Sequence, residues 1–113
     1  MSEKWNLTPS EDSWKPAGTD ARAFSAGFSS GREQQPYRLA RWRGLPGRYE
    51  RPKGMPWSET FVVYAGAGSI QCSEGLIELK PGTIINLRVG EPYVLEITQT
   101  LEKMAVITDK PAN

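Results

Sequence analysis

GRYERPKGMPWSETFVVYAG, residues 47–66, and GTIINLRVGEPYVLEI, residues 82–97, are the two stretches whose reading decides the fold. The first steps from Gly47 over five residues to Lys53, one to Met55, three to Glu59 and six to Gly66. The second steps from Gly82 over five residues to Arg88, one to Gly90, two to Tyr93 and three to Ile97. Within the first, residues 59–65 are rich in β-branched and aromatic side chains and stop at a glycine, which is the composition of a strand. Alternation places Glu59, Phe61, Val63 and Ala65 on one face, and Tyr93, Leu95 and Ile97 on one face of a second strand.

Working outward, residues 37–43 read as a strand broken at Leu45-Pro46-Gly47, and residues 49–53 as a short extended piece. Gly66-Ala67-Gly68 reads as a turn. Residues 69–72 and 76–79 flank Ser73-Glu74-Gly75, a hairpin whose glycine suits a positive φ. Pro81-Gly82 turns the chain into residues 83–87, and residues 93–98 and 102–108 form the last two strands. Short strands at regular spacing, punctuated by Gly and Pro, predict a sandwich or barrel with little helix.

Residues 1–36 show no sustained period, yet Trp5, Trp14, Phe24 and Phe28 are too apolar for a purely solvated tail. The segment is expected to be an arm lying on the barrel or on a partner subunit, with residues 24–28 as a short edge strand or turn. Residues 37–113 are expected to form the barrel.

At 113 residues and 38% hydrophobic content the chain is sized for one domain with a modest core. No apolar run reaches a membrane span and no basic-then-apolar segment opens the chain, so a soluble cytoplasmic protein is expected, with no membrane partner. The lone Cys72 forms no intrachain disulfide and belongs to no zinc-like cluster. With no histidine anywhere, a Ser-His-Asp set and a Cys-His pair are both excluded. The net charge of +1 gives no reason to expect a nucleic-acid partner. Charge is uneven, however: residues 32–53 hold Arg32, Arg38, Arg41, Arg43, Arg48, Arg51 and Lys53 against Glu33 and Glu50. Either an anion site or solvated outer strand faces and a subunit contact would account for that segment.

The two spaced blocks resemble the two motifs of the cupins, metal-binding β-barrels, in which a glycine, two histidines, a glutamate and a glycine precede a proline, a glycine and a third histidine. Lys53, Met55 and Tyr93 stand at the three histidine positions, and Glu59 alone keeps its ligand type. A narrower likeness is to the cupin group related to the ethanolamine-utilisation protein EutQ. Trp42, Pro46-Gly47, Glu59, Gly66, Pro81-Gly82, Gly90, Glu96 and Lys103 match that pattern. Thr83, Arg88, Leu95 and Gln99 depart from it, which puts part of that group's site in doubt. The resemblance implies an all-β fold, a cupin-type conical β-barrel or double-stranded jelly roll.

The resemblance also aims Glu59, Phe61, Tyr93 and Leu95 into the barrel, with Lys53 and Met55 projecting into the same mouth. A protonated lysine offers a cation no lone pair, and a thioether is too soft for the metals a lone carboxylate favours. No metal and no cofactor are therefore expected. Lys53, Met55, Glu59, Phe61, Tyr93, Leu95 and Trp42 are the candidate ligand-binding residues, and Lys53, Glu59 and Tyr93 the candidate catalytic ones. Three readings follow: binding of a small, anionic metabolite; a metal-independent isomerase, lyase or acyl/phosphoryl enzyme with Lys53 gripping an anion or acting as base; or a structural subunit whose barrel is plugged by an internal ion pair. A homodimer is expected, because edge strands and an aromatic arm both call for burial.

Overall fold

Two strands, each longer than the sequence pattern indicates, carry the fold. In the computed structural model, which describes residues 4–28 and 37–109, β5 runs Trp57–Cys72 and β8 runs Tyr93–Asp109. They pair antiparallel almost end to end, from Trp57 opposite Asp109 to Gln71 opposite Val94. The expected turn at Gly66-Ala67-Gly68 is instead a series of bulges inside β5, and the expected break between the last two strands is absent. The physical reason lies at Gly66. Its φ is +88°, and a Cβ there would run into the carbonyl oxygen of Thr100, so the backbones of β5 and β8 approach more closely than any side chain permits.

The bulges fold one eight-stranded sheet over on itself. The remaining strands are β1 (Lys15–Pro16), β2 (Ala23–Gly27), β3 (Arg38–Gly44), β4 (Gly47–Arg51), β6 (Gly75–Leu79) and β7 (Ile84–Leu87). The first half of β5 and the second half of β8 join β1, β2, β3 and β7 in a larger leaf. The other halves join β4 and β6 in a smaller one. Helix among the described residues is a single 3-10 turn, Glu11–Ser13. This is the all-β, two-leaved barrel expected from the strand spacing.

Alternation turns Phe61, Val63, Ile85, Leu87, Leu101, Ala105 and Ile107 inward from the larger leaf, against Tyr49, Ile70, Leu79, Leu95 and Ile97 from the smaller. The rings of Trp42 and Tyr49 meet edge to face across the gap, 5.5 Å apart.

The arm enters the same architecture. β2 pairs with β3 from Ala23 opposite Gly44 to Gly27 opposite Ala40. Preceding residues lie against the outer face of β3, where two arginines hold them. Arg41, only 7% exposed, donates to the carbonyls of Asn6, Leu7 and Gly27 and stacks 3.7 Å from the Phe28 ring centre. Arg43 pairs with both Glu11 and Glu102 and lies over Trp14. Much of the basic segment is thus spent internally on carbonyls, carboxylates and aromatic faces.

The close approach at Gly66 sets a test. Gly66→Ala is expected to lower unfolding stability by about 3 kcal/mol, through positive-φ strain added to the backbone collision. Gly75→Ala, whose φ is also positive but whose Cβ would meet open space, is expected to cost about 1 kcal/mol. Urea unfolding of both variants checks the difference.

Candidate functional site

Between the two leaves lies a cavity of about 460 Å³. β8 supplies one wall through the alternating series Lys103, Ala105, Ile107, and from it a single charged side chain points inward. Lys103 is 7% exposed. Its ammonium donates to Glu59 Oε2 at 2.8 Å and rests against the rings of Phe61 at 4.0 Å and Trp42 at 5.1 Å. Glu59, also 7% exposed, accepts a second hydrogen bond at Oε1 from the indole N–H of Trp57 at 3.1 Å. Burial alone would raise the Glu59 pKa. The charge of Lys103 and the hydrogen bonds from Lys103 and Trp57 together overcome it, and the carboxyl sits below its ordinary value of 4.5.

Two more polar groups reach the cavity from the β4–β8 side. Tyr93 is pushed up to about 12, first by burial and then by the Glu59 charge, against a smaller opposing pull from Arg51. Its phenol is therefore a neutral donor throughout the physiological range. Arg51, opposite Tyr93 in the ladder, spends one N–H on the carbonyl of Glu50 at 3.0 Å and makes no ion pair among the described residues. Met55, Leu95, Tyr49 and Trp42 complete the apolar lining, and Pro16, Ala17 and Gly18 of the arm close it on one side.

The expected pairing of Lys53 with Glu59 is corrected by this geometry. β4 ends at Arg51, and a tight turn follows in which Gly54, at φ +62°, donates its N–H to the Arg51 carbonyl. That turn carries Lys53 to the surface, outside the cavity lining. The cation that meets Glu59 is Lys103. Phe61 lies in the core beneath the Lys103 ammonium rather than in the lining. Trp42, Met55, Glu59, Tyr93 and Leu95 do converge on the cavity. Lys103 was missed as a site residue, although a lysine in register with Leu101, Ala105 and Ile107 on a buried face is itself a signal. Arg51 and Trp57 carried no comparable mark.

Cupin barrels imply a metal, and the donors here do not fit one. Among the described residues no three His, Cys, Asp or Glu side chains cluster. The one carboxylate at the site already neutralises a buried ammonium, so a divalent cation beside it would face Lys103 without lone pairs to bind.

No protein-family model matches the chain, and no curated protein does. Solved structures of the cupin fold do match. A protein of unknown function from Rhizobium leguminosarum bv. viciae 3841 superposes with a TM-score of 0.73 at 12% identity, over 97% of this chain and 99% of that one. EutQ from Clostridium difficile superposes with a TM-score of 0.68 at 12% identity, over 88% of this chain and 79% of its own. Ectoine synthase from P. lautus gives a TM-score of 0.69 at 15% identity, over 83% and 69% respectively. The chain has a cupin fold.

The ion pair predicts a non-additive response. Glu59→Gln or Lys103→Met alone is expected to cost about 3–5 kcal/mol, because each leaves its partner's charge buried and unpaired, and the double substitution should recover most of that loss. The pH dependence follows from the lowered Glu59 pKa: its stabilisation is complete above 4.5 and is lost as pH falls through the lower folded-state value. Unfolding midpoints between neutral and acidic pH should therefore fall less in the double variant than in the wild type, the remaining slope coming from Asp20, Glu11 and Glu91, also lowered.

Proposed function

We propose that this protein is a binding module for a small anionic metabolite, held between the leaves of the barrel. Arg51 carries the proposal: a cation lining the cavity that makes no salt bridge among the described residues, beside a phenol held neutral. Both donate, and one group carries full charge, which is the chemistry that recognises a carboxylate or phosphate oxygen. Size supports the reading too, since about 460 Å³ falls in the range of small-molecule sites.

Catalysis has weaker support in the same groups. General acid–base work favours a group that titrates near the working pH. Glu59 is held below its ordinary value by its salt bridge to Lys103 and the hydrogen bond from Trp57, and Tyr93 is pushed up to about 12. Lys53, the expected base, is on the surface. The likeness to EutQ and ectoine synthase rests on fold alone and carries no substrate across.

Thermal-shift titration with acetate, phosphate, succinate and benzoate tests the proposal. At least one anion should raise the melting temperature in a concentration-dependent way. Arg51→Gln should abolish that shift while changing the stability of the free protein by no more than about 0.5 kcal/mol. An unmoved melt with every anion, or an undiminished shift in the variant, would overturn the reading.

A further inference from the structure

Among the polar groups that border the cavity, which include Ser25, Arg38 and Arg41, two pairs on opposite leaves differ in character. At the β4–β8 end, the Arg51 guanidinium and the Tyr93 hydroxyl both present donors. At the opposite leaf, Glu59 presents an acceptor and Lys103 a donor, held 2.8 Å apart. Neither of that pair is saturated. The carboxylate has about four lone-pair sites, of which Trp57 and Lys103 take two, and an ammonium has three N–H groups, of which Glu59 takes one.

A fixed acceptor beside a fixed donor suits a small group that both donates and accepts, as a hydroxyl does from a single oxygen. It gives its proton to Glu59 while its oxygen accepts from Lys103. A second carboxylate placed there would face the Glu59 charge, and a bare apolar group would leave both sites unmet. The lining is also rich in aromatic rings: Trp42, Tyr49, Trp57 and Tyr93 all border the cavity. Planar rings of this kind favour a planar occupant, through stacking and edge contacts that an aliphatic chain makes less well.

From these three features we infer that the ligand is an aromatic hydroxy acid, its carboxylate on Arg51 and Tyr93, its ring among the tryptophans and tyrosines, and its hydroxyl on the Glu59–Lys103 pair. This deepens the anion-binding reading and rests on it. The arrangement is one of recognition, with no bond made or broken.

Calorimetric titration of the full chain with para-hydroxybenzoate, para-methylbenzoate, phenol and succinate tests the assignment. The methyl compound keeps shape and carboxylate but loses the hydroxyl; phenol keeps ring and hydroxyl but loses the carboxylate; succinate keeps charge without a ring. Para-hydroxybenzoate should bind at least about tenfold tighter than each of the other three, the loss expected for one hydrogen-bonded end or for the ring. Arg51→Gln should erase its advantage over phenol and preserve its advantage over the methyl compound. That variant leaves the buried ion pair intact, so a folding failure does not cloud the result. Equal affinity for para-hydroxybenzoate and para-methylbenzoate, or tighter binding of succinate, would overturn the aromatic hydroxy acid while leaving the anion site standing. Failure of all four, together with the acetate and phosphate of the thermal series, would overturn both.

Discussion

The interior of this barrel is organised by one ion pair. Glu59 and Lys103 sit on neighbouring strands, face the same way, and are almost wholly removed from water. Two charges buried this deeply are tolerable only as a pair with further support, and the support is visible: the Trp57 indole on the carboxylate, and the faces of Phe61 and Trp42 around the ammonium. The pair therefore constrains three other positions. It also fixes what the cavity can hold, because any occupant meets an acceptor and a donor whose places are already set.

That constraint depends in turn on the bend in β5 and β8. Without the bulges around Gly66 the two strands would extend as a flat ribbon, and Tyr93 and Arg51 would not be folded over toward Glu59. The arm completes the enclosure. Its hairpin adds to the larger leaf, its turn at Pro16–Gly18 borders the cavity, and its first residues are held on the outside by Arg41 and Arg43. Two of the charges that read as a candidate anion site in the sequence, Arg41 and Arg43, are committed to holding this segment, and Arg48 pairs with Glu50 and Glu96. Arg51 borders the cavity from β4 and makes no ion pair among the described residues.

Much of the fold was legible in residues 47–97, because glycine spacing and strict alternation are local properties. Glu59, Phe61 and Val63 point inward as their period requires, and Tyr93, Leu95 and Ile97 do the same. What was not legible is long-range. A Gly-x-Gly segment reads as a turn until a partner strand is known to bulge beside it, so β5 and β8 were each divided in two. Lys53 was placed in the barrel by spacing, but Pro52 and Gly54 make a turn that spacing does not encode. Lys103 lies 44 residues from Glu59, and only the pairing of β5 with β8 brings them together. Its position in an apolar alternating series was the available clue.

The central claim is that Lys103 is a buried ammonium held by Glu59, and lysine-ammonium NMR reads that state directly. A salt-bridged, water-excluded ammonium exchanges its protons slowly and gives a resolved signal, whereas solvent-exposed lysines such as Lys53 and Lys80 exchange theirs away. One protected ammonium signal should be present in the wild type, lost in Lys103→Met and strongly broadened or shifted in Glu59→Gln. A Lys103 signal that exchanges as fast as the surface lysines, or one unchanged by Glu59→Gln, would contradict the account.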